Sequence, residues 1–144
     1  MGIEIRIGCE LPADQLLALY ESVGWSAYTN EVRGPELQDA IRNSTYVVSA
    51  WSGGTLVGLT RGLSDDSSIF YLQDILVNSK FQRKGIGKQL MNNCLERFSH
   101  VRSRVLLTDD EEKQRQFYES FGFKNIRDLS KFQVNTFVLF ENMD

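Results

Sequence analysis

Gln82-Arg83-Lys84-Gly85-Ile86-Gly87-Lys88 stands between a strand pattern and a helix pattern, and its reading decides the fold. Upstream, Ile69-Phe70-Tyr71-Leu72-Gln73-Asp74-Ile75-Leu76-Val77 is rich in β-branched and aromatic residues and reads as a strand. Downstream, Gly87, Leu90, Met91, Cys94, Leu95 and Phe98 make an apolar stripe of helical period on a helix that begins at about Gly85. Lys88, Gln89, Asn92, Asn93, Glu96 and Arg97 form its polar face. A glycine-rich basic loop therefore runs into a helix N-terminus. Free N–H groups, the positive end of the helix dipole and residues without a Cβ together favour a bound anion there. A pyrophosphate cradle is one reading; a tight turn that only joins strand to helix is the other.

The 144 residues suit a single domain, 1–144. Sixteen basic and nineteen acidic side chains give a net charge of -3, which argues against a general nucleic-acid or membrane binder. Cys9 and Cys94 do not make a disulfide framework, and neither has metal-ligand spacing with His100, so no metal is expected. Cys94 lies on the apolar stripe and reads as a buried thiol. His100 follows that helix and reads as a solvated turn residue. The N-terminal residues lack the basic and apolar regions of a signal peptide, and no stretch has transmembrane length. A reduced, cytoplasmic, soluble protein is expected.

Taken in order, Ile3, Ile5 and Ile7 alternate with Glu4 and Arg6 as in a half-buried strand. Pro12 opens a helix that Gly24 can end. Trp25–Asn30 is an aromatic loop, and Pro35–Asn43 a second helix. Thr45–Trp51 and Thr55–Thr60 flank Gly53-Gly54 as a hairpin. Ser64–Ser67 turns the chain into the Ile69–Val77 strand. Arg104–Thr108 reads as a buried strand, parallel to Ile69–Val77 because a helix connects them. Asp109 to Glu112 has capping-box spacing ahead of a helix over Glu111–Phe121, with Gly122 as its C′ residue. Phe123–Ile126 and Gln133–Phe140 read as closing strands. The expected fold is a mixed, mostly antiparallel seven-stranded α/β sheet with helices on both faces, in the order β-α-α-β-β-β-α-β-α-β-β.

This order, Gln82-x-x-Gly85-x-Gly87 after a strand, and Phe117-Tyr118-Glu119-Ser120-Phe121-Gly122-Phe123 near the end resemble the GCN5-related N-acetyltransferases (GNAT) over nearly the whole chain. The resemblance implies acetyl-CoA as cosubstrate, its pyrophosphate held by the amides of Gln82, Arg83, Lys84, Gly85, Ile86 and Gly87, while Arg83, Lys84 and Lys88 could add charge against the pyrophosphate or the adenosine 3′-phosphate. It also implies that the pantetheine arm pairs with backbone near Ile75, Leu76 and Val77, in a gap between the Ile69–Val77 and Arg104–Thr108 strands. Tyr118 matches the family tyrosine that protonates the departing thiolate, a role a phenol can fill. Many members carry an asparagine early in the last helix; here Asp109-Asp110-Glu111-Glu112 stands there, and no role is carried over.

Asp74 is an acid inside an apolar strand, with Leu72 and Leu76 expected on its face. Buried carboxylates are costly unless paired. Asp74 therefore has three readings: a base toward the attacking amine, an anchor for its charge, or one half of a structural ion pair. Some aralkylamine-type members carry an acid in a similar strand. Trp25 and Tyr28 fall in the loop that contacts substrate in this family, where they could cage an amine, cap the core or build a homodimer contact. Transfer to a small primary amine is the leading expectation. A lysine or N-terminal peptide acceptor, and a non-catalytic acyl-CoA sensor, are the alternatives.

Overall fold

In the computed structural model, which describes residues 2–143, the chain divides into two compact units, Met1–Leu107 and Thr108–Asp144. The first unit holds β1 (Glu4–Ile7), α1 (Ala13–Ser22), the short α2 (Ser26–Thr29), α3 (Leu37–Arg42), β2 (Tyr46–Ser52), β3 (Thr55–Ser64), β4 (Ile69–Val77), α4 (Ile86–Arg97) and β5 (Ser103–Leu106). The strands form one sheet in the order β1-β2-β3-β4-β5. Neighbours are antiparallel up to β4, whereas β4 and β5 are parallel, as a crossover through α4 requires.

Alternation along β3 sorts the two faces, broken once at Val57, which is extra between the pairs Ala50–Gly58 and Trp51–Leu56. Leu56, Leu59 and Val47 join Leu16, Leu19, Tyr20, Leu37 and Ile41 in a core between the sheet and α1 and α3. Gly58 and Thr60 face α4. A Cβ on Gly58 would stand 3.2 Å from Ile86 Cγ2 and 3.3 Å from Leu90 Cδ1, so the missing side chain lets the first turn of α4 settle on the sheet. Cys94 lies over Thr60, Sγ to Oγ1 3.8 Å.

A bulge in β4 rearranges what period two predicts. Arg61 pairs with Asp74 and Gly62 with Leu72, which leaves Gln73 as the extra residue. Phe70 stacks on Phe98 at the end of α4, 4.3 Å between ring centroids, while Asp74 and Leu76 face α1. Leu72 therefore does not share a face with Asp74. The bulge turns the carboxylate away from the α4 side.

The second unit holds α5 (Glu112–Glu119). Glu111 is its N-cap and makes no side-chain cap bond, so the expected capping box does not form. The helix ends as expected: Gly122 has φ +94°, its N–H donates to Glu119 O, and Phe123 N–H reaches back to Tyr118 O.

Five strands form among the described residues, where seven were expected. The Asn125 side chain accepts from Arg127 N–H and sets up a 3-10 turn over Ile126–Asp128, which ends the first closing strand before it can pair. Gln133–Phe140 has strong strand propensity but no ladder partner, and that propensity expresses itself only against a neighbour. Thr55–Thr60 is also longer than expected: β3 runs to Ser64 and so takes in Arg61.

Candidate functional site

The connection from β4 to α4 is fixed by its own backbone. Asn78 N–H donates to Val57 O, and its side chain accepts from Lys80 N–H, which shapes a 3-10 turn over Ser79–Phe81. Gln82 Nε2 then donates to Val77 O at 3.0 Å and ties the loop to the end of β4. Arg83 has φ +66° and Gly85 φ +80°. A left-handed conformation is costly for a residue with a Cβ such as arginine.

Gly85 caps α4 without a side-chain hydrogen bond, and the first bond of the helix runs from Gln89 N–H to Gly85 O. The amides of Gly87 and Lys88 precede that bond, at the positive end of a twelve-residue helix. Arg83, Lys84 and Lys88 are exposed around them, whereas Ile86 is buried and anchors the turn. First-turn amides, left-handed backbone and three cations are an arrangement that could hold a phosphate group.

The ladder between β4 and β5 covers only Ile69–Leu72 against Ser103–Leu106. Ile75, Leu76 and Val77 have no β5 partner, so that edge of β4 offers backbone donors and acceptors. On its other side Ile75 pairs with Thr60, Leu76 with Leu59 and Val77 with Gly58.

Asp74 is buried, 3% exposed, and its carboxylate accepts three hydrogen bonds. Arg61 Nε donates to Oδ2 at 2.7 Å, Tyr20 Oη to Oδ2 at 2.9 Å, and Tyr28 Oη to Oδ1 at 2.9 Å. The Tyr28 hydroxyl in turn accepts from Gln73 Nε2 at 3.0 Å and from Arg61 Nη2 at 3.2 Å. The bulge residue Gln73 and the acid beside it thus hold one phenol from α2. Burial, and then the Asp74 charge, push the Tyr20 phenol well above its ordinary pKa, and the same two causes raise Tyr28. The guanidinium of Arg61 is also raised: Asp74 holds its charge against the opposing cost of burial.

The structure therefore brings Tyr28 and Asp74 together and supplies an ion-pair partner for the acid. Trp25 and Tyr28 are half-buried against the core, with Tyr20 edge-on to both at centroid distances of 5.8 and 5.0 Å. Tyr20 and Arg61 were missed. Tyr20 reads as part of an apolar helix stripe, and Arg61 lies just past the expected strand end. The available signal was an arginine and an aspartate flanking one tight turn.

In the second unit Tyr118 is half-buried on α5, 5.3 Å from Phe117 and 6.2 Å from Phe123 between ring centroids. Arg115 bridges Glu119 and Asp128 beside it. Among the described residues no group of His, Cys, Asp and Glu could hold a metal ion, and no helix is long and apolar enough to cross a membrane.

A mixed α/β sheet with a glycine-containing turn between a strand and its crossover helix is the fold in hand. Residues 20–143 match the acetyltransferase (GNAT) domain model, and the chain belongs to the GNAT family. A GNAT family acetyltransferase from Streptococcus pneumoniae is similar in structure, with TM-score 0.81 and 30% identity, covering 98% of this chain and 99% of that one. A Gibberella zeae relative that bears an acetyltransferase name is 31% identical over 124 residues, which span 83% of this chain and 66% of that one. An aminoglycoside acetyltransferase from a soil metagenome, solved with sisomicin, shares the fold at TM-score 0.66 and 19% identity, covering 96% of this chain and 97% of that one.

Proposed function

We propose that the chain is a single domain, 1–144, that moves the acetyl group of acetyl-CoA to a small primary amine. The observation that carries this reading is the turn at Arg83–Gly85, which leaves the amides of Gly87 and Lys88 without helical partners beside three cations. Acetyl-CoA supplies a thioester-activated acetyl group. The loop from Gln82 to Lys88 binds its pyrophosphate, and the free edge at Ile75–Val77 aligns the pantetheine arm by backbone pairing. A backbone N–H of β4 stabilises the developing oxyanion.

The neutral amine attacks the thioester carbonyl, a C–N bond forms and the C–S bond breaks. Tyr118 Oη gives its proton to the leaving thiolate, and the amine loses one to solvent. Asp74 is proposed as a positioning residue rather than the base. Its carboxylate already meets a guanidinium and two phenols, so it acts by fixing Tyr28 at the acceptor side.

Aromatic amines are favoured acceptors on the strength of the Tyr20–Trp25–Tyr28 cluster. The aralkylamine-type assignment has no other support once Asp74 is paired. The second reading, a peptide acceptor, draws on the short Asp128–Lys131 connection, which leaves room for an open groove. Two unpaired cysteines suit a reducing compartment such as the cytoplasm. Thiol release from acetyl-CoA across small amines and lysine peptides tests the reading. Tight acetyl-CoA binding with no turnover on any acceptor would favour a sensor instead.

A further inference from the structure

We propose that Gln73 holds the acceptor amine, its side-chain oxygen Oε1 accepting one N–H of a primary amine beside the thioester. This inference rests on the acetyl-transfer reading and deepens it. The groups that place Gln73 all belong to the unit Met1–Leu107.

Neighbouring residues on a strand ordinarily point to opposite faces. The bulge makes Gln73 the extra residue of β4, and Gln73 Nε2 and Asp74 Oδ1 both reach the Tyr28 hydroxyl, at 3.0 and 2.9 Å. That hydroxyl is saturated. Its one hydrogen goes to Asp74 Oδ1, and its oxygen accepts from Gln73 Nε2 and Arg61 Nη2. Tyr28 therefore has nothing left for a substrate. Asp74 is buried and already bonded to Arg61, Tyr20 and Tyr28.

What these groups do together is orient an amide. The Tyr28 hydrogen is committed to a carboxylate, so Gln73 must present its nitrogen to the phenol oxygen, which fixes which way round the amide stands. Oε1 is the polar atom left over. Within Met1–Leu107 the Gln73 side chain bonds only through Nε2. The place suits an acceptor. The β4–β5 ladder ends at the pair Leu72–Leu106, one residue before Gln73. A pantetheine arm that enters from the Gln82–Lys88 loop and follows the edge from Val77 to Ile75 brings its acyl end toward the bulge.

An amide oxygen is also the right chemistry. A free carboxylate here would favour the ammonium form of the acceptor, which has no lone pair for attack. Gln73 accepts an N–H and carries no charge. With one N–H on Oε1 and the lone pair on the thioester carbonyl, a primary amine keeps a second hydrogen. That hydrogen leaves to solvent as the C–N bond forms and the C–S bond breaks, and Tyr118 protonates the thiolate. A secondary amine has only the hydrogen that Gln73 holds, and an amide oxygen is no base. Gln73 thus selects primary amines.

The test compares wild type and Gln73→Leu in thiol release from acetyl-CoA, with benzylamine and n-butylamine and the N-methyl derivative of each. Gln73→Leu should raise the amine KM by roughly three- to tenfold, the worth of one hydrogen bond. Its preference for the primary over the N-methyl amine should fall toward parity, with the acetyl-CoA Kd unaltered. Should that variant fail to fold, Gln73→Glu decides: its carboxylate holds the amine as ammonium, so the pH profile of kcat should move to higher pH. A wild type inert toward both primary amines overturns the small-amine reading and this proposal together. A wild type that acts on them, with a Gln73→Leu variant that keeps either the amine KM or the primary preference, overturns this proposal alone. So does a Gln73→Glu profile that stays in place.

Discussion

Arg61 Nε and Asp74 Oδ2 stand 2.7 Å apart on directly paired positions of β3 and β4, next to the bulge at Gln73. That placement sets the surroundings of the Asp74 carboxylate. Without the bulge the strand's period would carry Asp74 onto the α4 face, away from Tyr20 and Tyr28. With it, one buried ion pair fixes a phenol that belongs to another element.

The pair predicts an asymmetric mutational response. Arg61→Met leaves Asp74 buried and uncompensated, and should lower stability by about 3–5 kcal/mol in denaturant melts. Arg61→Met/Asp74→Leu removes both charges and should recover part of the loss. If the double variant is less stable than Arg61→Met alone, Asp74 has sufficient partners without the arginine.

Asp74→Asn and Tyr28→Phe should impair kcat/KM for the amine non-additively, because both act through the same hydroxyl. Acetyl-CoA affinity should stay unchanged in each. Additive effects, or a loss confined to thermal stability, would assign Asp74 a purely structural role.

Two phenols held above their ordinary pKa make stability fall at alkaline pH. Tyr20 and Tyr28 stay protonated in the fold to higher pH than in the unfolded chain. Between those pKa values the folded state binds more protons, so stability declines as pH rises. The contribution is complete below about pH 10, the ordinary phenol value, and drains away above it. Thermal melts of Tyr20→Phe against wild type should converge as pH climbs past that value. Parallel curves would contradict the assignment.

Gly87→Glu puts a carboxylate in the anion cup. Acetyl-CoA affinity should fall at least ~100-fold, which is about 2.7 kcal/mol. Calorimetric titration reads this directly, and retained affinity would remove the cradle.

Tyr118→Phe should lower kcat by roughly 100-fold or more, the range of a general acid, with the acetyl-CoA Kd unaltered. An unaltered kcat would return Tyr118 to the aromatic packing of α5.

Much of this was legible in the sequence. The strand at 69–77, the loop at 82–88 and the helical stripe through Cys94 each rest on local pattern, and each stands near its expected place. Cys94 is buried as its stripe position implied, and burial pushes its thiol up to about 11. The misses are nonlocal. The bulge at Gln73 depends on how β3 registers against β4, and period two alone cannot show it. Arg61 became part of the site only because β3 runs past Thr60 to Ser64. Gln133–Phe140 carries a strand's composition, but a strand also requires a neighbour, and composition does not supply one.

The most direct test of the central claim is release of free CoA thiol from acetyl-CoA by the purified chain, measured across aromatic amines, polyamines, aminoglycosides and lysine peptides. Amine-dependent thiol release, strongest on small aromatic amines and abolished by Gly87→Glu, is the predicted result. Acetyl-CoA binding at the Gln82–Lys88 loop with no thiol released by any acceptor would contradict it.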